Sequence, residues 1–140
     1  MKKFVSAIIA VATLVLCFTL CACATKYVSH YSATTMKTTN TSDKASISFS
    51  SFSGTYVMKF DEKVSGEVCI TYQAMLAEGN IKVYYDFNEE KLDLFEIGSN
   101  GNVNGKTEAF TGNKTIYVII ESDGNCSEGS FSVALEKSQK

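Results

Sequence analysis

The 140-residue chain contains no proline, no tryptophan and no arginine, and its one histidine is His30. Each absence removes a class of function. All thirteen basic residues are lysines, so no guanidinium fork exists to grip phosphate or read a guanine edge, and nucleic acid is excluded as a partner. A serine or cysteine nucleophile needs a base within reach, and the single histidine lies in a serine- and threonine-rich stretch, not in a patterned segment. No G-x-G-x-x-G or Walker-type run offers a phosphate cradle, and no histidine/cysteine group has zinc spacing. The carboxylate pairs Asp61-Glu62 and Glu89-Glu90 stand beside lysines at strand ends and read as solvated turns. The expectation is a protein without catalysis, cofactor or metal site.

Long apolar runs are scarce too, with one exception. Lys2 and Lys3 precede an apolar stretch from Phe4 to Ala22, broken only by Ser6, Thr13 and Thr19. At 1.5 Å rise per residue it is long enough to span about 30 Å of hydrocarbon, but its end decides its role. Leu20-Cys21-Ala22-Cys23 resembles the lipobox of bacterial lipoprotein precursors. The small Ala22 admits a peptidase to the bond before Cys23, whereas Cys17 and Cys21 each follow a bulky leucine. The resemblance implies a signal peptide over 1–22, a diacylglyceryl group on Cys23, and anchorage to a bacterial cell membrane on its extracytoplasmic side. Two acyl chains hold a small domain to a bilayer where one does not. Cleavage also removes Lys2 and Lys3, so the mature chain is two units more negative than the −2 of the precursor. Charge therefore does not draw it to anionic headgroups.

From Ala24 to Lys44 periodicity disappears. Seven of the eleven residues from Ser32 to Ser42 are serine or threonine. Such a composition buries too little to offset its chain entropy, so 23–44 reads as a lipidated cysteine followed by a flexible tether. His30 falls in this tether.

From Ala45 the period becomes two, and 45–140 reads as one all-β domain. The apolar stripes are Ile47/Phe49, Tyr56/Met58/Phe60, Val68 through Leu76, Ile81 through Phe87, Leu92/Leu94, Ile116 through Ile120, and Phe131/Val133/Leu135. A short strand is expected over 106–111, giving about eight in all. Glu78-Gly79-Asn80 and Asp123-Gly124-Asn125 read as tight turns, and Ser99 to Gly105 as a loop. Gln73 to Glu78 alone competes as a helical turn. An antiparallel β-sandwich, jelly-roll-like, is the economical packing. Ile70, Val83, Val118 and Val133 sit mid-stripe and should meet in its core. The Asp123-Gly124-Asn125 turn and the Phe131-x-Val133-x-Leu135 closing strand resemble the small pre-peptidase C-terminal sandwiches appended to secreted hydrolases, which implies the same fold.

Three features bear on function. Cys69 and Cys126 would face an oxidising compartment, either as a disulfide or as two unpaired thiols. The oxygen-rich stretch Asp123, Asn125, Ser127 and Glu128 fails the EF-hand spacing and reads as a hairpin turn. Tyr84, Tyr117 and Ile119 point away from the main stripe. They form either a binding surface for a sugar or a protein, or a patch covered by another segment. The reading is a lipid-anchored, non-catalytic envelope module that binds an unknown protein or carbohydrate. The alternatives are a small hydrolase, or an accessory or inhibitor of another envelope protein.

Overall fold

The computed structural model describes residues 26–61, 66–112 and 114–138. The segment 1–22 expected to be a signal peptide and the expected lipidation site Cys23 lie outside the described residues. The strands are β1 (His30–Thr34), β2 (Lys37–Asn40), β3 (Lys44–Phe60), β4 (Glu67–Asp86), β5 (Leu92–Ile97), β6 (Gly101–Lys106), β7 (Phe110–Thr111) and β8 (Ile116–Lys137). Among the described residues there is no helix.

Three strands dominate, with 17, 20 and 22 residues in β3, β4 and β8, against a usual five or six. They lie side by side in the order β3-β8-β4, and all pairings are antiparallel. Each bends near its middle. Gly54, Gly79 and Gly124 have positive φ of 108°, 105° and 78°. The β3–β8 register shifts between Phe52 and Thr55, and the β4–β8 register between Glu78 and Asn80. Such bulges bend a strand without ending it. At Gly79 a side chain has no room, since a Cβ would lie 3.0 Å from Cys126 Cα.

The bends fold one eight-stranded sheet over into two layers. The first layer holds β2, the N-terminal half of β3, the C-terminal half of β8, the N-terminal half of β4, and β6 with β7. The second holds the other halves of β3, β8 and β4, with β5 at its edge. β1 runs along the bend of β3, with Ala33 opposite Phe52 and His30 opposite Thr55. Ring contacts join the layers: Tyr72 of the first stacks on Phe95 of the second at 4.7 Å, and Phe95 lies 6.3 Å from Phe131. The expected all-β sandwich is therefore present. Ile70 and Val133 from one layer and Val83 and Val118 from the other are all buried in one cluster.

Several expectations need correction. The stretch expected as a tether carries β1 and β2. Edge strands require backbone partners more than apolar side chains, and here Ala33 and Met36 suffice to pack against the core. Gln73 to Glu78 continues the expected strand and is not the competing helical turn, but most of the expected 99–105 loop is β6. The two expected turns around Gly79 and Gly124 are bends in continuous strands, with Asn80 opposite Asp123. Cys69 and Cys126 are free and buried. Cys69 pairs with Glu136, ten residues along β8 from Cys126, or about 33 Å at strand rise. A disulfide needs Cα atoms within about 7 Å, so none can form.

Candidate functional site

The outward positions of the first layer form a trough. Directly opposed residues of adjacent strands share a face, and three such rows cross this layer. Lys44, Ala134, Thr71 and Lys106 make the first row; Ser46, Ser132, Gln73 and Asn104 the second; Ser48, Ser130, Met75 and Asn102 the third. Along β3 and β8 every one of these positions except Lys44 is serine or alanine, which keeps the floor low. Longer side chains rise on both sides: Lys37 and Lys44 on one, Gln73, Met75, Asn104 and Lys106 on the other.

The trough comprises two depressions. One, of about 510 Å³, is lined by Lys44, Thr71, Gln73, Asn104, Ser132 and Glu136 among others. The second, of about 350 Å³, is lined by Lys37, Ser48, Met75, Glu128 and Ser130 among others. From Glu128 to Glu136 the face runs about 26 Å along β8 at strand rise. Its chemistry is mostly hydrogen bonding, from amides, hydroxyls and three ammonium groups. Met75, 52% exposed, is the one large apolar side chain on its rim. Thr71 Oγ1 donates a 3.4 Å hydrogen bond to Glu136 Oε1, whose other oxygen lies 3.8 Å from Lys106 Nζ, and among the described residues no three of His, Cys, Asp and Glu gather as a metal site.

The second layer's outer face is where Tyr84, Tyr117 and Ile119 lie, and it is not an open platform. Ile119 is buried, and Tyr84 and Tyr117 are half-buried. Residues Lys26–Ser29 cross this face over three adjacent strands. Tyr27 donates a 2.7 Å hydrogen bond to Asp86 Oδ2 at the end of β4, and Lys26 Nζ lies 2.6 Å from the same oxygen. The Tyr27 ring packs edge-on to Tyr117 of β8 at 5.2 Å. Ser29 Oγ accepts from Val57 N of β3 at 3.0 Å. On the other side Lys91 Nζ sits 3.9 Å from the Tyr84 ring centre and pairs with Glu121 at 2.6 Å. Of the two readings of this patch, the structure supports the covered one, with Lys26–Ser29, the segment before β1, lying across it.

Asp86 is the buried charged residue among those described. Burial pushes its carboxyl up, but hydrogen bonds from Lys26 and Tyr27, the Lys26 charge and a backbone bond at Glu89 outweigh it and hold it below the ordinary carboxylate value. The same contact, after burial, pushes the Tyr27 phenol up to about 12. His30 is exposed at the start of β1.

No protein-family model matches the chain, and no curated protein does. Solved structures do. TmCBM61, a carbohydrate-binding module determined in complex with β-1,4-galactotriose, superimposes with a TM-score of 0.50 at 12% identity, over 78% of this chain and 88% of its own. The chain shares that β-sandwich fold. The N-terminal cellulose-binding domain of Cellulomonas fimi β-1,4-glucanase C also matches, with a TM-score of 0.41 at 10% identity, over 79% and 88% of the two chains. These neighbours are carbohydrate-binding modules and not the pre-peptidase C-terminal domains whose motifs the sequence resembles.

The trough residues were not singled out in the sequence, because the polar positions between apolar stripes look like any solvated face. A signal was nonetheless there. Ser46, Ser48 and Ser50 alternate with Ala45, Ile47 and Phe49, and Ser130 and Ser132 with Phe131 and Val133. A strand whose outer positions are all small leaves a depression over it.

Proposed function

We propose that this protein is a non-catalytic, lipid-anchored envelope module that binds a carbohydrate polymer along the first-layer trough. One observation carries the reading: a low serine and alanine floor between walls of hydrogen-bonding side chains, on a face about 26 Å long at strand rise. That shape suits an extended, hydroxyl-rich chain. The sandwich fold shared with a carbohydrate-binding module supports it.

The affinity follows from the chemistry. The trough presents no open aromatic platform, so binding rests on neutral and charge-assisted hydrogen bonds worth about 1 kcal/mol net each. Four or five of them correspond to a Kd of roughly 1 mM. Retardation in native gels containing soluble β-linked glycans, β-1,4-galactan among them, tests the reading. The chain should be slowed by at least one glycan, and Gln73→Ala with Asn104→Ala should restore its mobility. Unretarded migration through the whole panel would contradict it.

The anchor rests on Leu20-Cys21-Ala22-Cys23 and is tested separately. Cys23→Ala should abolish acyl labelling and membrane retention. Unchanged fractionation with membranes would refute it.

A further inference from the structure

The segment that follows the anchoring cysteine is fastened to the sandwich within a few residues. Only residues 24 and 25 separate Cys23 from Lys26, so the Cα of the lipid-bearing residue lies at most about 11 Å of chain from the Lys26 Cα. Lys26 and Tyr27 are held by one buried acceptor: the Asp86 side chain is 3% exposed and lies within 2.7 Å of both donors. Tyr27 adds an edge-on contact to Tyr117, and Ser29 a hydrogen bond from Val57. Thus Lys26, Tyr27 and Ser29 make two contacts to β4 and one each to β8 and β3.

All of these contacts lie on the second layer. Along β4, Lys82, Tyr84 and Asp86 alternate with the buried Ile81 and Val83, so Asp86 belongs to the outer face. The trough is the outer face of the other layer, and stacked sheets lie about 10 Å apart. A tether of some twenty residues would let the domain tumble above the bilayer. A leash that ends in an ion pair to a buried carboxylate does not.

We infer that Lys26, Tyr27 and Asp86 form an orienting latch: it seats the second layer's outer face against the bilayer that holds Cys23 and turns the trough outward, toward the polymer. The occupant of that face is the headgroup layer, named by the length of chain between the lipid and the latch. The inference rests on the proposed acylation of Cys23 but not on the nature of the trough's ligand.

The test uses the full chain, processed in cells and reconstituted into vesicles whose phosphatidylcholine headgroups carry a nitroxide quencher. A fluorophore is placed at Lys82→Cys on the second layer or at Thr39→Cys on the first. Cys69 and Cys126 are buried and escape labelling. Quenching should be several-fold stronger at position 82 than at 39. Lys26→Gln combined with Tyr27→Ala should bring the two positions together, and the shape-preserving Asp86→Asn should shift them in the same direction. Equal quenching with the latch intact, or an unchanged ratio in both variants, would overturn the latch. Mass spectrometry of the N-terminal peptide reads the anchor independently: an unacylated Cys23 would overturn the orientation through the loss of the lipid and leave the trough's glycan titration untouched.

Discussion

The Tyr27 hydroxyl donates a 2.7 Å hydrogen bond to Asp86, a residue 59 positions away at the far end of β4. This single contact ties the segment before the first strand to β4, an inner strand of the sheet. It also fixes how that attachment responds to pH. Asp86 has its carboxyl held down, so its share of stability is present above the ordinary carboxylate range and is lost as pH falls through its lowered folded value. Tyr27 has its phenol raised from 10.0 to about 12, so its share is present below pH 10 and fades between 10 and about 12. Denaturant melts of the native chain and of Tyr27→Phe should therefore diverge in pH dependence across that alkaline window, the native chain losing stability more steeply. Parallel profiles would mean that the hydroxyl is not held by Asp86 in solution.

Removing the acceptor should cost more than removing one donor. Asp86→Ala leaves both Lys26 and Tyr27 to water, and Lys26 is already 37% exposed. The loss of two charge-assisted hydrogen bonds should lower stability by about 1–3 kcal/mol, and tryptic cleavage after Lys26 should accelerate. Unaltered cleavage would show that the segment is not fastened.

Gly79 makes a sharper prediction. Its φ is +105° and a Cβ would press on Cys126, so Gly79→Ala combines backbone strain with overpacking and should destabilise by about 2–4 kcal/mol. Adding Cys126→Ala removes the Sγ contact but not the strain, so it should recover part of the loss beyond its own cost. Full additivity of the two changes would contradict the packing at the bend.

The core can be tested by one neighbouring pair. Ile70 is fully buried, and Thr71 is half-buried on the trough face. Ile70→Ala should cost about 2–5 kcal/mol, and Thr71→Ala under about 1 kcal/mol. Equal damage in urea melts would place both faces of β4 in the core.

The same pair shows how much of the fold was legible. Alternation along Val68–Leu76 and Phe131–Leu135 assigns each side chain to a face, because a strand has no other way to bury every second residue. The reach of a strand is a different matter. Around Gly79 and Gly124 the local signal for a turn and for a bend is the same glycine, and only the partners of the flanking residues decide between them. β1 and β2 were illegible for a related reason: an edge strand is defined by the backbone it pairs with, and Ser32 or Thr38 carries no trace of Ser53 or Ile47 opposite. The trough needed β3, β8, β4 and β6 in register before its floor and walls existed. The Tyr84–Tyr117–Ile119 patch was readable as outward-facing, but its cover came from Lys26–Ser29, a segment with no periodicity to mark it.

Glycan binding along the first-layer trough can be followed residue by residue. Backbone amide resonances of the mature chain are followed while a soluble β-linked glycan that retards it in gels is added. The perturbed amides should map to Gln73, Asn104, Ser130, Ser132 and their neighbours along the 26 Å face (a length from strand rise), saturating with a Kd of roughly 1 mM. Shifts confined to the Tyr84 and Tyr117 face, or no saturable shifts in the trough, would show that the trough is not the glycan site.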